Sequence, residues 1–207
     1  MPTTPRTKGQ PPKRQRGYLR VAAIMKTGVE VFTEKGYDAA TMTEIAGRSG
    51  TATASLYRFF PSKEALADAL LLQYENHAMN RLAELGEQAS GMTLDQIADA
   101  LVDFRLSMQS RRRFAIDLAD ARGGSHDRRK QFHKTMRGSV AGILKEVIPS
   151  LPKAKSETMA VVLLHLFRSV TAIDRETPAV RRMLLAEIKE LVRGYLASAQ
   201  RSGSKIC

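Results

Sequence analysis

The chain has 207 residues, with one cysteine, no tryptophan and only 6% aromatics. The single cysteine is Cys207, so neither an intrachain disulfide nor a cysteine-ligated zinc site is available. A reducing cytoplasm is the expected compartment. No apolar run approaches the roughly 18 residues that span a bilayer; the longest, Met159 to Phe167, contains His165 and stops at Arg168. The basic N-terminus has no apolar segment behind it and does not read as a secretory signal. Catalytic signatures are also missing: there is no Gly-x-Ser-x-Gly elbow, no Gly-x-x-x-x-Gly-Lys phosphate loop and no His-Glu-x-x-His. His77, His126, His133 and His165 all lack a glutamate three residues earlier, which excludes di-iron bundle spacing. Asp117 and Asp120 share a helical face but, without a histidine, read as a solvated patch. The sequence therefore predicts no enzyme, cofactor or metal.

What the chain does have is positive charge, 33 Lys+Arg against 21 Asp+Glu, for a formal net charge of +12. Such a balance points to a polyanionic partner, either nucleic acid or an anionic membrane face. Residues 1–17 hold Arg6, Lys8, Lys13, Arg14 and Arg16 among four prolines and two glycines, with no acid, and read as a flexible basic arm. The arm lacks interleaved aromatic or aliphatic anchors, so no membrane partner is expected. Beyond it, 43% hydrophobic and 26% charged residues suit a folded domain.

Apolar residues recur at helical spacing almost throughout, and no strand-like alternation competes. Val21, Ile24, Met25, Val29 and Phe32 mark a first helix that stops at Lys35-Gly36. Thr41, three residues before Glu44, has the spacing of a capping box and opens a short second helix closed by Gly50. Another short helix, about Ala54 to Phe59, ends before Pro61, and Ser62 can cap a fourth. Two short helices around a glycine form a helix-turn-helix candidate. Farther on, Thr93 with Gln96 makes a second capping box ahead of Leu94 to Met108. Phe114 to Ala121 reads as a shorter segment, and Phe132 to Val147 as a helix stopped by Pro149 and Pro152. The last two helices are expected near 156–174 and 178–199, the final one opened by Thr177-Pro178. About nine helices and no strands predict an all-α fold.

Residues 20–66 resemble the DNA-binding domain of the TetR (tetracycline-repressor-like) family of transcriptional regulators. The resemblance lies in Phe32-x-x-Lys35-Gly36-Tyr37, in Thr41-x-x-Glu44-Ile45-Ala46, and in Leu56-Tyr57-x-x-Phe60 followed by Ser62-Lys63-Glu64-x-Leu66. It covers about a quarter of the chain. Three positions depart from the usual pattern: Ala52 replaces a capping serine, Ala54 a glycine, and Phe59 a residue that is often histidine.

The resemblance implies a three-helix helix-turn-helix domain at 18–64 and a helical ligand-sensing and dimerisation domain at 65–207. Thr41, Thr43, Thr51, Thr53, Ser55, Tyr57, Arg58, Phe59 and Lys63 are then the candidate DNA contacts. Thr51 or Thr53 replaces the missing cap, Tyr57 and Arg58 read the major groove, and Lys63 holds a phosphate. Leu56 and Phe60, four apart, read as the buried side of the same helix. The basic arm gains a use in the minor groove or along the phosphates.

Phe104, Met108, Phe114, Leu118, Phe132, Met136 and His165 are candidate lining residues for a ligand pocket. Their spacing fits ordinary core equally well, and His165 fits a core or interface histidine. By the same resemblance, the last two helices pair with their copies into a four-helix dimer interface. A two-fold dimer would require double-stranded DNA carrying a palindromic operator, and a small-molecule inducer would release it through the fourth helix. The alternatives are a ligand-independent DNA-binding or architectural protein, and a helical adaptor that uses its charge only for solubility.

Overall fold

The computed structural model describes residues 13–123, 126–169, 173 and 176–203. Among these the chain forms nine α-helices, one 3-10 turn at Ala89–Gly91, and no strand. They are α1 (Lys13–Ala39), α2 (Met42–Arg48), α3 (Thr53–Phe59), α4 (Lys63–Gln88), α5 (Leu94–Ser107), α6 (Gln109–Ala121), α7 (His126–Val147), α8 (Lys153–Ser169) and α9 (Pro178–Gly203). The fold is all-α, as the periodicity required.

Local chemistry accounts for the boundaries. Gly36, at φ 78°, breaks the helical path inside α1, a conformation that side chains with a Cβ rarely adopt. Gly50, at φ 63°, reverses the chain between α2 and α3. Thr93 Oγ1 accepts the Gln96 N–H at 3.2 Å while Gln96 Oε1 accepts the Thr93 N–H at 2.8 Å, a complete capping box. Ser62 Oγ accepts the Ala65 N–H at 3.2 Å and opens α4.

Several expected limits move. The arm expected over 1–17 is helical from Lys13, and its first twelve residues lie outside the described ones. Helix α6 starts at Gln109 and takes Arg111, Arg112 and Arg113 into its first two turns. Helix α8 starts at Lys153, directly after Pro152, so Ser156 is internal; its Oγ bonds back to the Lys153 carbonyl at 2.8 Å. Residues 170–172, 174 and 175, which the expected helix over 156–174 includes in part, lie outside the described residues.

The chain divides into two compact units, Met1–Leu72 with Asp117–Arg122, and Gln73–Ile116 with Gly123–Cys207. The division falls inside α4, beyond the 64/65 boundary read from the sequence, and the end of α6 joins the first unit. That unit is built on the fully buried Ile24, Ile45, Leu56 and Leu66. The second is built on Leu82, Ile97, Leu101, Leu144, Met159, Leu163 and Leu196. Within it Arg193 Nη2 of α9 reaches both carboxylate oxygens of Asp99 on α5, at 2.8 and 2.9 Å. Helix α9 leaves Val180, Met183, Leu184 and Leu191 exposed, and α8 leaves Val162 exposed.

Candidate nucleic-acid interface

The first unit presents α3, a helix of seven residues that could not persist alone in water. Its inner side supplies what propensity cannot: Leu56 is fully buried, and Phe60, which follows the helix, is 7% exposed. Its outer side leaves Thr53, Ala54, Tyr57 and Arg58 exposed, with Tyr57 at 44%. No residue of α3 is acidic. The Arg58 guanidinium lies over the Phe59 ring at 5.3 Å, so the half-buried Phe59 supports a cation where the family pattern has a polar group. Ser55 is partly buried, and the Arg20 guanidinium of α1 approaches its Oγ at 3.5 Å.

The turn before α3 behaves differently from the expectation. Ala52 occupies the N-cap without a side-chain bond. Thr51 does not replace it, because its side chain is buried and its N–H donates to the Ala46 carbonyl at 2.9 Å. Thr53 begins the helix proper, exposed.

Helix α2 is fixed by its cap and by charge. Thr41 Oγ1 accepts the Glu44 N–H at 3.2 Å, but the reciprocal half of the expected capping box gives way to ion pairs. The Glu44 carboxylate pairs with Lys35 at 2.8 Å and Arg48 at 2.9 Å, and Arg48 also reaches Glu34 at 2.6 Å. The hydrogen bond from Lys35, above all, holds the Glu44 carboxyl below its ordinary range. Thr41 and Thr43 stay exposed at the start of the helix.

Lys63 sits where the sequence reading expects a phosphate ligand, yet its ammonium donates to the carbonyls of Tyr37, Asp38 and Ala40 at 2.8, 3.0 and 3.2 Å. These carbonyls lie at the end of α1 and just beyond it, where intrahelical donors have run out. The same ammonium lies 4.5 Å from the centre of the Tyr37 ring, and Arg122 lies 5.9 Å from it. Tyr37 donates its hydroxyl to Glu64 at 3.1 Å, and Arg122 pairs with Asp68 at 2.7 Å. Burial is the main cause that pushes the Tyr37 hydroxyl up. Sequence reasoning missed Arg20 and Arg122, whose partners lie 35 and 54 residues away.

The pocket candidates scatter. Phe104 and Met108 are buried in the core of the second unit, with Phe132 and Met136 packed against it. Phe114 is half-buried, and Leu118 is buried within the first unit. His165 is exposed on α8, three residues beyond the exposed Val162, and does not turn inward. The helical phase of α8 explains this, since its buried side is Met159, Ala160, Leu163 and Phe167.

A different polar set lies inside. Arg105 of α5 is 6% exposed, and its Nε donates to the Phe167 carbonyl at 2.8 Å. Its place between Leu101 and Met108 on the buried stripe is a sequence signal that went unread. Tyr74 of α4 packs on Phe132 at 5.7 Å between ring centres, and Phe132 on His133 at 6.0 Å. Burial first, then Arg168, Arg112, Arg129 and Arg137, push the His133 imidazole below its ordinary range.

Two family models match the chain. The model of the bacterial regulatory proteins of the TetR family matches residues 24–70, and that of the tetracyclin repressor-like C-terminal domain matches residues 92–196. The chain is 36% identical over 61 residues to the HTH-type transcriptional regulator UidR of Escherichia coli, covering 30% of this chain and 31% of UidR. The chain spans only 21–36% of the length of these curated relatives. Among solved structures, the SmeT–triclosan complex aligns with a TM-score of 0.64 at 14% identity, covering 87% of this chain and 90% of that one. A gamma-butyrolactone receptor aligns at 0.54 and 18% identity, covering 87% and 99%. None of the described helices is long and apolar enough to cross a membrane. With both family models matched in order along an all-α chain, the protein belongs to the TetR family of DNA-binding transcriptional regulators.

Proposed function

We propose that this regulator is a homodimeric repressor that places α3 of each protomer in successive major grooves of a near-palindromic operator and is released by a small molecule. The observation that carries the reading is the exposed, acid-free side of α3, with Thr53, Tyr57 and Arg58 outward over the anchored Leu56 and Phe60. These side chains are small or hydrogen-bonding and suit base edges and phosphates. Thr41, Thr43 and Ser55 join them at the backbone. Lys63 acts as a positioning residue, holding the end of α1 against the start of α4, and Thr51 fixes the turn from inside.

The exposed apolar residues of α8 and α9 support the dimer, since such a row on a monomer exceeds scattered surface apolarity. His165, beside Val162, then belongs to that interface. Release follows from linkage: an inducer that favours the state with misplaced recognition helices lowers DNA affinity by the same coupling, typically about 1–3 kcal/mol. SmeT, similar in fold, is seen in complex with triclosan, and another structural neighbour is a gamma-butyrolactone receptor, which supports a sensing role for the second unit here.

Selection from a random DNA pool, followed by footprinting, tests the reading. A two-fold consensus is expected, and Tyr57→Ala should weaken binding to it about tenfold with the fold intact. Uniform recovery governed only by salt would replace the regulator of a defined operator with an architectural binder.

A further inference from the structure

The cations of the first unit are not equally engaged. Lys35, Arg48 and Arg122 pair with carboxylates, and Lys63 with backbone carbonyls. Arg20 and Arg58 are exposed and meet no carboxylate among the described residues. Both stand at α3. Arg58 belongs to it and lies over the Phe59 ring at 5.3 Å, whereas Arg20 comes from α1 and brings its Nη1 to 3.5 Å from Ser55 Oγ. Ser55 and Arg58 are three positions apart and share a side of the helix. Two guanidinium groups without an acidic partner therefore border α3, a helix that carries no acid of its own.

Dimensions decide what such a pair meets. An α-helix with its side chains is about 10–12 Å across, and the major groove of B-form DNA is about 12 Å wide, so a helix seated there fills it from wall to wall. A group that reaches the flank of that helix from a neighbouring element stands at the rim, where the phosphates are. Arg20 is such a group: its backbone is on α1, and its guanidinium arrives beside Ser55. Guanidinium donors match phosphate oxygens in pairs. No carboxylate or buried acceptor depends on Arg20, so removing it takes little from the fold.

We propose that Arg20 of α1 holds a backbone phosphate at the rim of the groove that α3 enters, beside the Ser55 hydroxyl. The proposal rests on reading α3 as the recognition helix and adds a contact from outside it. A phosphate contact carries no sequence information, so Arg20 raises affinity for every duplex and leaves the choice of sequence to Thr53, Tyr57 and Arg58.

The test is fluorescence anisotropy of the full-length protein with labelled poly(dI–dC) duplex over a salt series. Arg20→Gln should lower affinity about tenfold and reduce the slope of log affinity against log salt by about one for each copy of Arg20 engaged. Arg20→Lys, which keeps the charge, should keep the slope. Lys26→Gln removes the same charge from another side of α1, at an exposed position, and should leave affinity and slope unchanged. Circular dichroism verifies that the variants are folded. Unchanged affinity and slope in Arg20→Gln, an equal loss in Lys26→Gln, or weaker binding by Arg20→Gln at an unaltered slope overturns the proposal. Repeating the series with Tyr57→Ala on the duplex recovered by selection separates the two readings. Weakened binding by Tyr57→Ala with no change in Arg20→Gln keeps α3 and removes Arg20; the reverse pattern keeps the Arg20 phosphate contact and removes α3 as the reader of the groove.

Discussion

The two units tie cations to carboxylates alike but differ at a few positions. In the first, Lys35 and Arg48 meet the carboxylates of Glu44 and Glu34, Arg122 meets Asp68, and Lys63 fills the carbonyl end of α1. In the second, Arg193 meets Asp99 and Arg128 meets Glu75 in the same way, while burial above all opposes the charge of Arg112 and of His133. Internal partners make a cation part of the scaffold, and scaffold cations leave the exposed side of α3 to other residues. A cation held against burial instead weakens the fold that holds it. The charge of +12 is thus not one surface property: cations tied to carboxylates are scaffold, whereas Arg112 is held against burial.

The largest expected effect breaks the first unit at its apolar anchor. Leu56→Ala, at a fully buried site in a seven-residue helix, should cost about 3 kcal/mol in denaturant unfolding and abolish operator binding with it. Lys63→Met comes next, at about 2 kcal/mol, because three carbonyls lose a charged donor together. If that variant instead keeps its stability while the salt slope of DNA binding falls, the ammonium belongs to a phosphate after all.

At Arg112 the sign reverses. Arg112→Gln should leave the ligand-free protein as stable as before or raise its stability, by less than ~1 kcal/mol, since burial and Arg168 both oppose its charge. A clear loss on thermal unfolding would mean that Arg112 is scaffold.

The smallest effect is a pH dependence. His133 and His77 both have folded-state pKa values below the ordinary value of about 6.5, burial being the first cause in each. The unfolded chain therefore binds more protons, so stability is fully present above about pH 6.5 and declines as pH falls below it. His133→Gln should flatten that decline in melting curves taken across the window, whereas an unchanged slope would place its origin elsewhere.

Much of the first unit was legible from its residues. The stop at Gly36, the cap at Thr41, the cap at Ser62 and the buried pair Leu56 and Phe60 each appear as read, because each depends on neighbours within about four positions. Thr41 shows where such reading runs out: its own half of the capping box forms, but Glu44 is drawn away by Lys35, a residue of another helix. Arg105 was legible in principle, since its phase puts it on a buried stripe, while His165 was misleading for the opposite reason: it sits in an apolar run whose phase turns it outward.

The sequence by itself determined an all-α chain, the order and approximate limits of its helices, and the resemblance of residues 20–66, since helical period and capping are short-range effects encoded in successive residues. Only the tertiary structure decided that Lys63 binds the end of α1, that Leu118 belongs with the first unit, and that Tyr74 packs on Phe132. Those residues are separated by tens of positions, and electrostatic and packing energies depend on distance in space, which helix packing sets and no local pattern records.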